Sequence, residues 1–173
     1  MHDGDTRAAK TAWMGMFLAE ALILGYVESL IPFSFGIPGM KLGLANLAVL
    51  LALYRIGTKE AFLIDVLRIV LSGFLFGSLY SILYSMAGGV LSFLAMLLLK
   101  KTGRLSVAFV SVAGGVSHNV GQLAVAAFVV ETKGLFYYLP PLLVSGAVTG
   151  LLLGMIAERV LQSGFFLRGY TEK

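Results

Sequence analysis

The sequence predicts an all-α integral membrane protein, a bundle of six transmembrane helices. Three observations predict it. Hydrophobic residues make up 58% of the 173-residue chain and charged residues 13%, where soluble domains average about 45–50% and about 25%. The mean hydropathy is +0.92. Charge-free stretches such as 69–99, 105–130 and 134–157 are long enough to cross a hydrocarbon layer about 30 Å thick, which takes about 20 apolar residues per helix. A soluble domain this small would need more polar surface, and a disordered chain would be apolar-poor and charge-rich.

The first helix, 13–31, follows a short polar N-terminal segment, 1–12. It carries Glu20 and Glu28, unlike the clean apolar core of a cleaved signal peptide, and is read as a retained span. The second, 42–54, is short enough to be tilted or partly re-entrant. The third, 59–76, holds Asp65 and Arg68 three residues apart, close enough to neutralise each other. The apolar run that follows is too long for one span, and Gly73, Gly77 and Ser78 place a break before the fourth helix, 79–99. The fifth and sixth, 105–130 and 136–161, complete a single membrane domain, 13–161. A C-terminal tail, 162–173, follows.

Basic residues set the orientation. An even number of spans puts Arg7, Lys10, Arg55, Lys59, Lys100, Lys101, Arg104, Arg159, Arg168 and Lys173 on one side, and only Lys41 and Lys133 on the other. Positive charge accumulates on the cytoplasmic side, so both termini are expected there, in a plasma membrane. The net charge of +4 is thereby explained without a nucleic-acid partner. With Cys 0 there is no disulfide, thiolate metal site or cysteine nucleophile.

Small residues recur at four-residue spacing: Gly15–Ala19 and Ala21–Gly25 on the first helix, Ser81–Ser85–Gly89 on the fourth, Ala113–Ser117–Gly121 on the fifth and Gly146–Gly150–Gly154 on the last. In lipid such stripes let helix backbones approach closely. They serve packing within the bundle or, on the first helix especially, docking onto another membrane subunit.

Polar residues inside the apolar helices are costly and mark function or a satisfied contact. On the fifth helix His118, Asn119 and Gln122 occur together, and Ser111, Gly114, Gly115, His118 and Gln122 fall on one helical face. Such a stripe faces protein or a wet cavity, either as interhelical glue or as a ligand pocket. Between the first two helices, 31–44 holds two prolines and three glycines, with Lys41, and leads into Asn46. An irregular loop at that depth suits a lid over a binding site. No phosphate-binding glycine loop, zinc-protease motif or nucleophile elbow occurs, and the only aspartates are Asp3, Asp5 and Asp65. The chain is therefore expected to be neither an enzyme nor the holder of an intrinsic cofactor or metal.

The combination Pro38-Gly39-Met40-Lys41-Leu42-Gly43-Leu44-Ala45-Asn46, Leu67-Arg68 through Ser72-Gly73-Phe74-Leu75-Phe76-Gly77-Ser78, Gly88-Gly89 with Ser92, and His118-Asn119-Val120-Gly121-Gln122 resembles the Gx transporter family. That family often carries the label heptaprenyl diphosphate synthase component I, and it is similar to the substrate-binding S components of energy-coupling-factor (ECF) transporters. The resemblance implies a six-helix bundle of the S-component type that captures a small nutrient or cofactor precursor from outside. It also implies partners: a transmembrane coupling subunit and two cytoplasmic ATPases. S components meet the coupling subunit through small residues on the first helix, for which Gly15, Ala19, Ala21 and Gly25 are the nearest matches. The substrate site is expected at Glu28, Lys41, Asn46, Arg68, His118, Asn119 and Gln122. Two alternatives stay open. One is an accessory membrane subunit of prenyl-diphosphate or quinone metabolism, although a prenyl condensation needs metal-binding carboxylates that the sequence lacks. The other is a small channel.

Overall fold

The computed structural model describes residues 3–30 and 43–163. Within them the chain forms six α-helices and one 3-10 segment, with no strand: α1 (Asp3–Leu30), α2 (Leu44–Arg55), α3 (Thr58–Phe76), α4 (Leu79–Lys101), α5 (Val107–Val129), the 3-10 segment (Lys133–Tyr138) and α6 (Leu139–Gln162). Four stretches are long and apolar enough to cross a membrane: Arg7–Leu30, Leu79–Lys101, Val107–Val129 and Gly134–Gln162. Their outer surface is apolar, with Phe128 83% and Leu98 65% exposed. A water-facing protein would not carry so much apolar surface. This is a membrane protein.

The boundaries follow local chemistry. The expected break before α4 falls at Gly77 and Ser78, where Ser78 caps the helix by accepting from the Ser81 amide while Ser81 accepts from the Ser78 amide. Helix α1 begins well before residue 13, because the segment around Ala8, Ala9 and Lys10 is rich in helix formers. Lys10 then reaches Glu60 on α3 at 2.6 Å. Helix α6 starts at Leu139 rather than 136, with Pro140 and Pro141 in its first turn, where a missing amide hydrogen costs nothing.

Helix α2 differs most from the expectation. Between Asn46 near its start and Tyr54 and Arg55 at its end it is apolar all round, and Ala45 and Ala48–Leu53 are buried. A helix without a polar face belongs inside, and α2 forms the centre of the core with Phe17, Ile64, Phe93 and Val110. Its 12 residues span only about 18 Å, so its neighbours shield it from the surroundings.

The helices close into a ring that passes through α2. Contacts run α1 to α3, α3 to α4, α4 to α5, α5 to α6, α6 to α2 and α2 back to α1. At one end of the bundle basic side chains fasten helix ends together. Arg55 Nη2 donates to the Leu161 carbonyl at 3.2 Å, and Lys100 Nζ donates to the Leu53 carbonyl while lying over the Tyr54 ring. Cations at helix C-termini meet the exposed carbonyls and the negative end of the dipole. Lys10, Arg55 and Lys100 thus share one end, as the charge pattern requires.

Helices α5 and α6 pack backbone to backbone. A Cβ placed on Gly115 would lie 2.4 Å from the Gly146 carbonyl oxygen, one on Gly150 2.8 Å from the Ser111 carbonyl oxygen, and one on Gly154 2.6 Å from the Ala108 Cα. Gly121 is equally tight against Ala87 and Gly88 of α4. These small-residue stripes hold the bundle itself together.

The first helix divides its four small residues. Ala21 is 1% exposed, and Gly25 packs near Ala45 and Phe76. Both therefore face into the bundle, where the core occupies their side of α1. Gly15 and Ala19 face outward, and a Cβ on Gly15 would meet nothing within 4 Å.

Candidate functional site

A cavity of about 130 Å³ lies among the helices, lined by residues from all six. One water occupies only roughly 10–15 Å³ by the same measure, so the space suits a small organic molecule. Glu28, Asn46, Arg68, His118, Asn119 and Gln122 all line it. Lys41, and the loop expected to act as a lid, fall in 31–42, outside the described residues.

Glu28 sits in the last turn of α1, where its Oε1 accepts from the Gly43 amide at 2.6 Å. Gly43 stands just before α2 with φ +74, a left-handed conformation that side chains disfavour. The bond ties the end of α1 to the start of α2 beside the cavity. One turn into α2, Asn46 Oδ1 accepts from Arg68 Nη2 at 2.6 Å.

Arg68 is also held by Asp65 on its own helix. Its Nε donates to Asp65 Oδ1 at 2.9 Å, and its Nη2 lies 2.7 Å from the same oxygen. The side chains are 11% and 4% exposed. An ion pair so enclosed persists because each charge is the other's compensation. Asp65 in turn lies against α4 at Gly89, where an added Cβ would come within 3.1 Å of its Oδ2. Asp65 and Arg68 therefore do neutralise each other, while the asparagine draws the guanidinium towards α2.

On α5 the polar stripe meets the cavity along its length, since Ser111, Gly114, Gly115, His118 and Gln122 all line it. His118 and Gln122 pass over Gly88 of α4. A Cβ there would lie 3.1 Å from His118 Cε1 and 2.7 Å from Gln122 Cγ, so only glycine leaves room for both. Asn119 plays a different part. It is 7% exposed, and its Nδ2 donates to the Leu142 carbonyl at 2.8 Å, joining α5 to α6. Its amide is committed to the scaffold as well as to the wall.

Several lining residues were not singled out from sequence as ligand-facing. Ser72 on α3, Ser81, Ser85 and Ser92 on α4, and Thr149 on α6 add hydroxyls to the cavity. For Ser81 and Ser85 the signal was present as the four-residue spacing, which reads equally as a packing stripe. Thr149 donates its hydroxyl to the Ser145 carbonyl of its own helix at 2.8 Å, a common arrangement for a threonine inside a helix.

The assembled wall offers hydroxyls, three side-chain amides and an imidazole, groups that both donate and accept. Of the described lining residues Glu28 and Arg68 bear formal charge, and Asp65 offsets Arg68 from behind. No group of three His, Asp or Glu residues that could hold a metal ion occurs among the described residues. Such a site suits a ligand bound by hydrogen bonds more than one bound by charge.

No curated protein and no solved structure matches the chain. A family model described as heptaprenyl diphosphate synthase component I matches residues 17–160. That stretch runs from α1 into α6 and includes every described residue of the cavity wall. The chain belongs to the heptaprenyl diphosphate synthase component I family.

Proposed function

We propose that the protein is the substrate-binding subunit, or S component, of an ECF-type importer that captures a small nutrient or cofactor precursor from outside the cell. The cavity carries this reading: six polar side chains from α1, α2, α3 and α5 line one shared space. A channel would instead need a continuous polar path.

Six membrane crossings accord with the packing. The charged pair on α3 turns inward, while Leu63, Leu67, Leu71 and Phe74 on the same helix are exposed, leaving an apolar face for lipid. Helix α2 crosses as an inner element. The shared basic end of the bundle is then cytoplasmic by the positive-inside rule, and the ends of α1 and α3 near Glu28 and Phe76 face outside. The chain performs no catalysis and needs no cofactor of its own; a transmembrane coupling subunit and two ATPases supply the energy. Gly15 and Ala19, facing outward on α1, form the docking surface.

The family's description favours a second reading, an accessory membrane subunit of prenyl-diphosphate metabolism. The cavity's described charges leave no surplus cation for a diphosphate. Affinity purification of the tagged chain from native membranes separates the two. Recovery with a membrane coupling subunit and ATPases is the expected result; recovery with a soluble prenyl-diphosphate synthase subunit would establish the second.

A further inference from the structure

A second cavity, of about 140 Å³, adjoins the first between α4, α5, the 3-10 segment and the start of α6. The two share Ser81, Ser85, Asn119 and Gln122 in their walls. Beyond that polar waist the chemistry changes. The second chamber is lined by Tyr84, Leu123, Ala126, Leu135, Tyr138 and Leu142. None of these carries a charge, and the two tyrosines present rings with polar tips. The first chamber holds the hydrogen-bonding groups and a charge-compensated Arg68.

We infer that the substrate is a small amphiphile, with a hydrogen-bonding head that carries no negative charge in the first chamber and an apolar tail in the second, its waist at Ser85 and Gln122. This rests on the cavity being a substrate site and adds the class of substrate. Two features decide the head's charge. Arg68 spends its Nε and Nη2 on Asp65 and Asn46, and Glu28 adds a carboxylate to the wall, so an anionic head finds no uncompensated cation among the described residues. The tail follows from adjacency: an apolar chamber that shares Ser81, Ser85, Asn119 and Gln122 with a polar one provides transfer free energy to whatever apolar group the head carries.

The test uses the purified chain in nonionic micelles, with equilibrium dialysis against empty micelles. Three probes that differ in tail or in head charge are compared: 4-butylphenol, phenol, and 4-butylbenzenesulfonate. The expected result is that 4-butylphenol binds at least tenfold more tightly than either of the others, since four added carbons are buried and the sulfonate charge is not compensated. Ala126→Phe, which fills the second chamber, reduces 4-butylphenol to the level of phenol, and phenol binding reports that the variant is folded. Equal binding of phenol and 4-butylphenol, undiminished binding of the sulfonate, or undiminished binding of 4-butylphenol in Ala126→Phe would each overturn the inference while leaving the cavity a binding site. Failure of all three probes to exceed empty micelles would overturn the binding site itself. The importer reading is judged separately by its partners.

Discussion

Arg68 and Asn46 stand 22 positions apart in the chain and meet at 2.6 Å, the guanidinium donating to the amide oxygen. Through this bond the ion pair on α3 is tied to the inner helix α2 at the edge of the cavity. The arginine is thus a fixture of the cavity wall, with its charge already answered by Asp65.

Removing the arginine alone should therefore be costly. Arg68→Met leaves Asp65, 3% exposed, without its cation, and loss of one partner of a buried pair costs about 3–5 kcal/mol. The double variant Asp65→Asn with Arg68→Met should recover most of that loss. Thermal unfolding of the three variants in micelles checks the order; a double variant no more stable than Arg68→Met would show that the pair is not what Asp65 depends on.

Glycines give a sharper contrast. Gly115→Ala forces a Cβ to 2.4 Å from a carbonyl oxygen of α6, a backbone atom with no freedom to turn aside, and should destabilise by about 1–3 kcal/mol. Gly15→Ala meets nothing and should stabilise by up to about 1 kcal/mol, because alanine is the better helix former. The same unfolding assay distinguishes them by sign.

On α1 two neighbouring alanines should fail in different ways. Ala21→Leu overfills the core and should lower thermal stability. Ala19→Leu, on the outer face, should leave the melting temperature unchanged and reduce recovery of the coupling subunit, since a bulky side chain holds a partner helix away. Intact recovery with Ala19→Leu would move the docking surface elsewhere.

Topology is open to cysteine labelling, which is clean in a chain with Cys 0. Thr102, exposed in the α4–α5 turn, should as Thr102→Cys react with an impermeant reagent only from the cytoplasmic side. Phe136→Cys, 51% exposed before change, should react from outside. Labelling of position 102 from outside would overturn the six-span arrangement.

Much of the architecture was legible in the sequence because charge spacing and a capping serine are local signals. Gly77 and Ser78 announced the break between α3 and α4, and the helix ends fell within a few residues except at α1. Other features depend on tertiary contacts. A short apolar helix reads alike whether it lies at the surface or in the centre, so the burial of α2 had to come from its neighbours. Asn119 advertised hydrogen-bonding capacity but not its partner, the Leu142 carbonyl 23 positions away. Ser81 and Ser85 of α4 were visible only as small residues at packing distance. Ala21 and Gly25 shared their spacing with Gly15 and Ala19, and spacing does not say which face of a helix is already occupied.

Whether the cavity holds a ligand is decided most sharply at Gln122. Gln122→Leu keeps similar bulk and removes the carboxamide that α5 presents to the cavity. Native mass spectrometry of the isolated wild-type and variant chains, paired with their melting temperatures, is the measurement. A small molecule should be found bound to the wild type. Occupancy should fall in the variant by roughly 5- to 150-fold in affinity for a lost buried polar contact, with a nearly unchanged melting temperature. Unchanged occupancy with a lowered melting temperature would contradict the ligand-binding role, and would make the polar stripe of α5 interhelical scaffold.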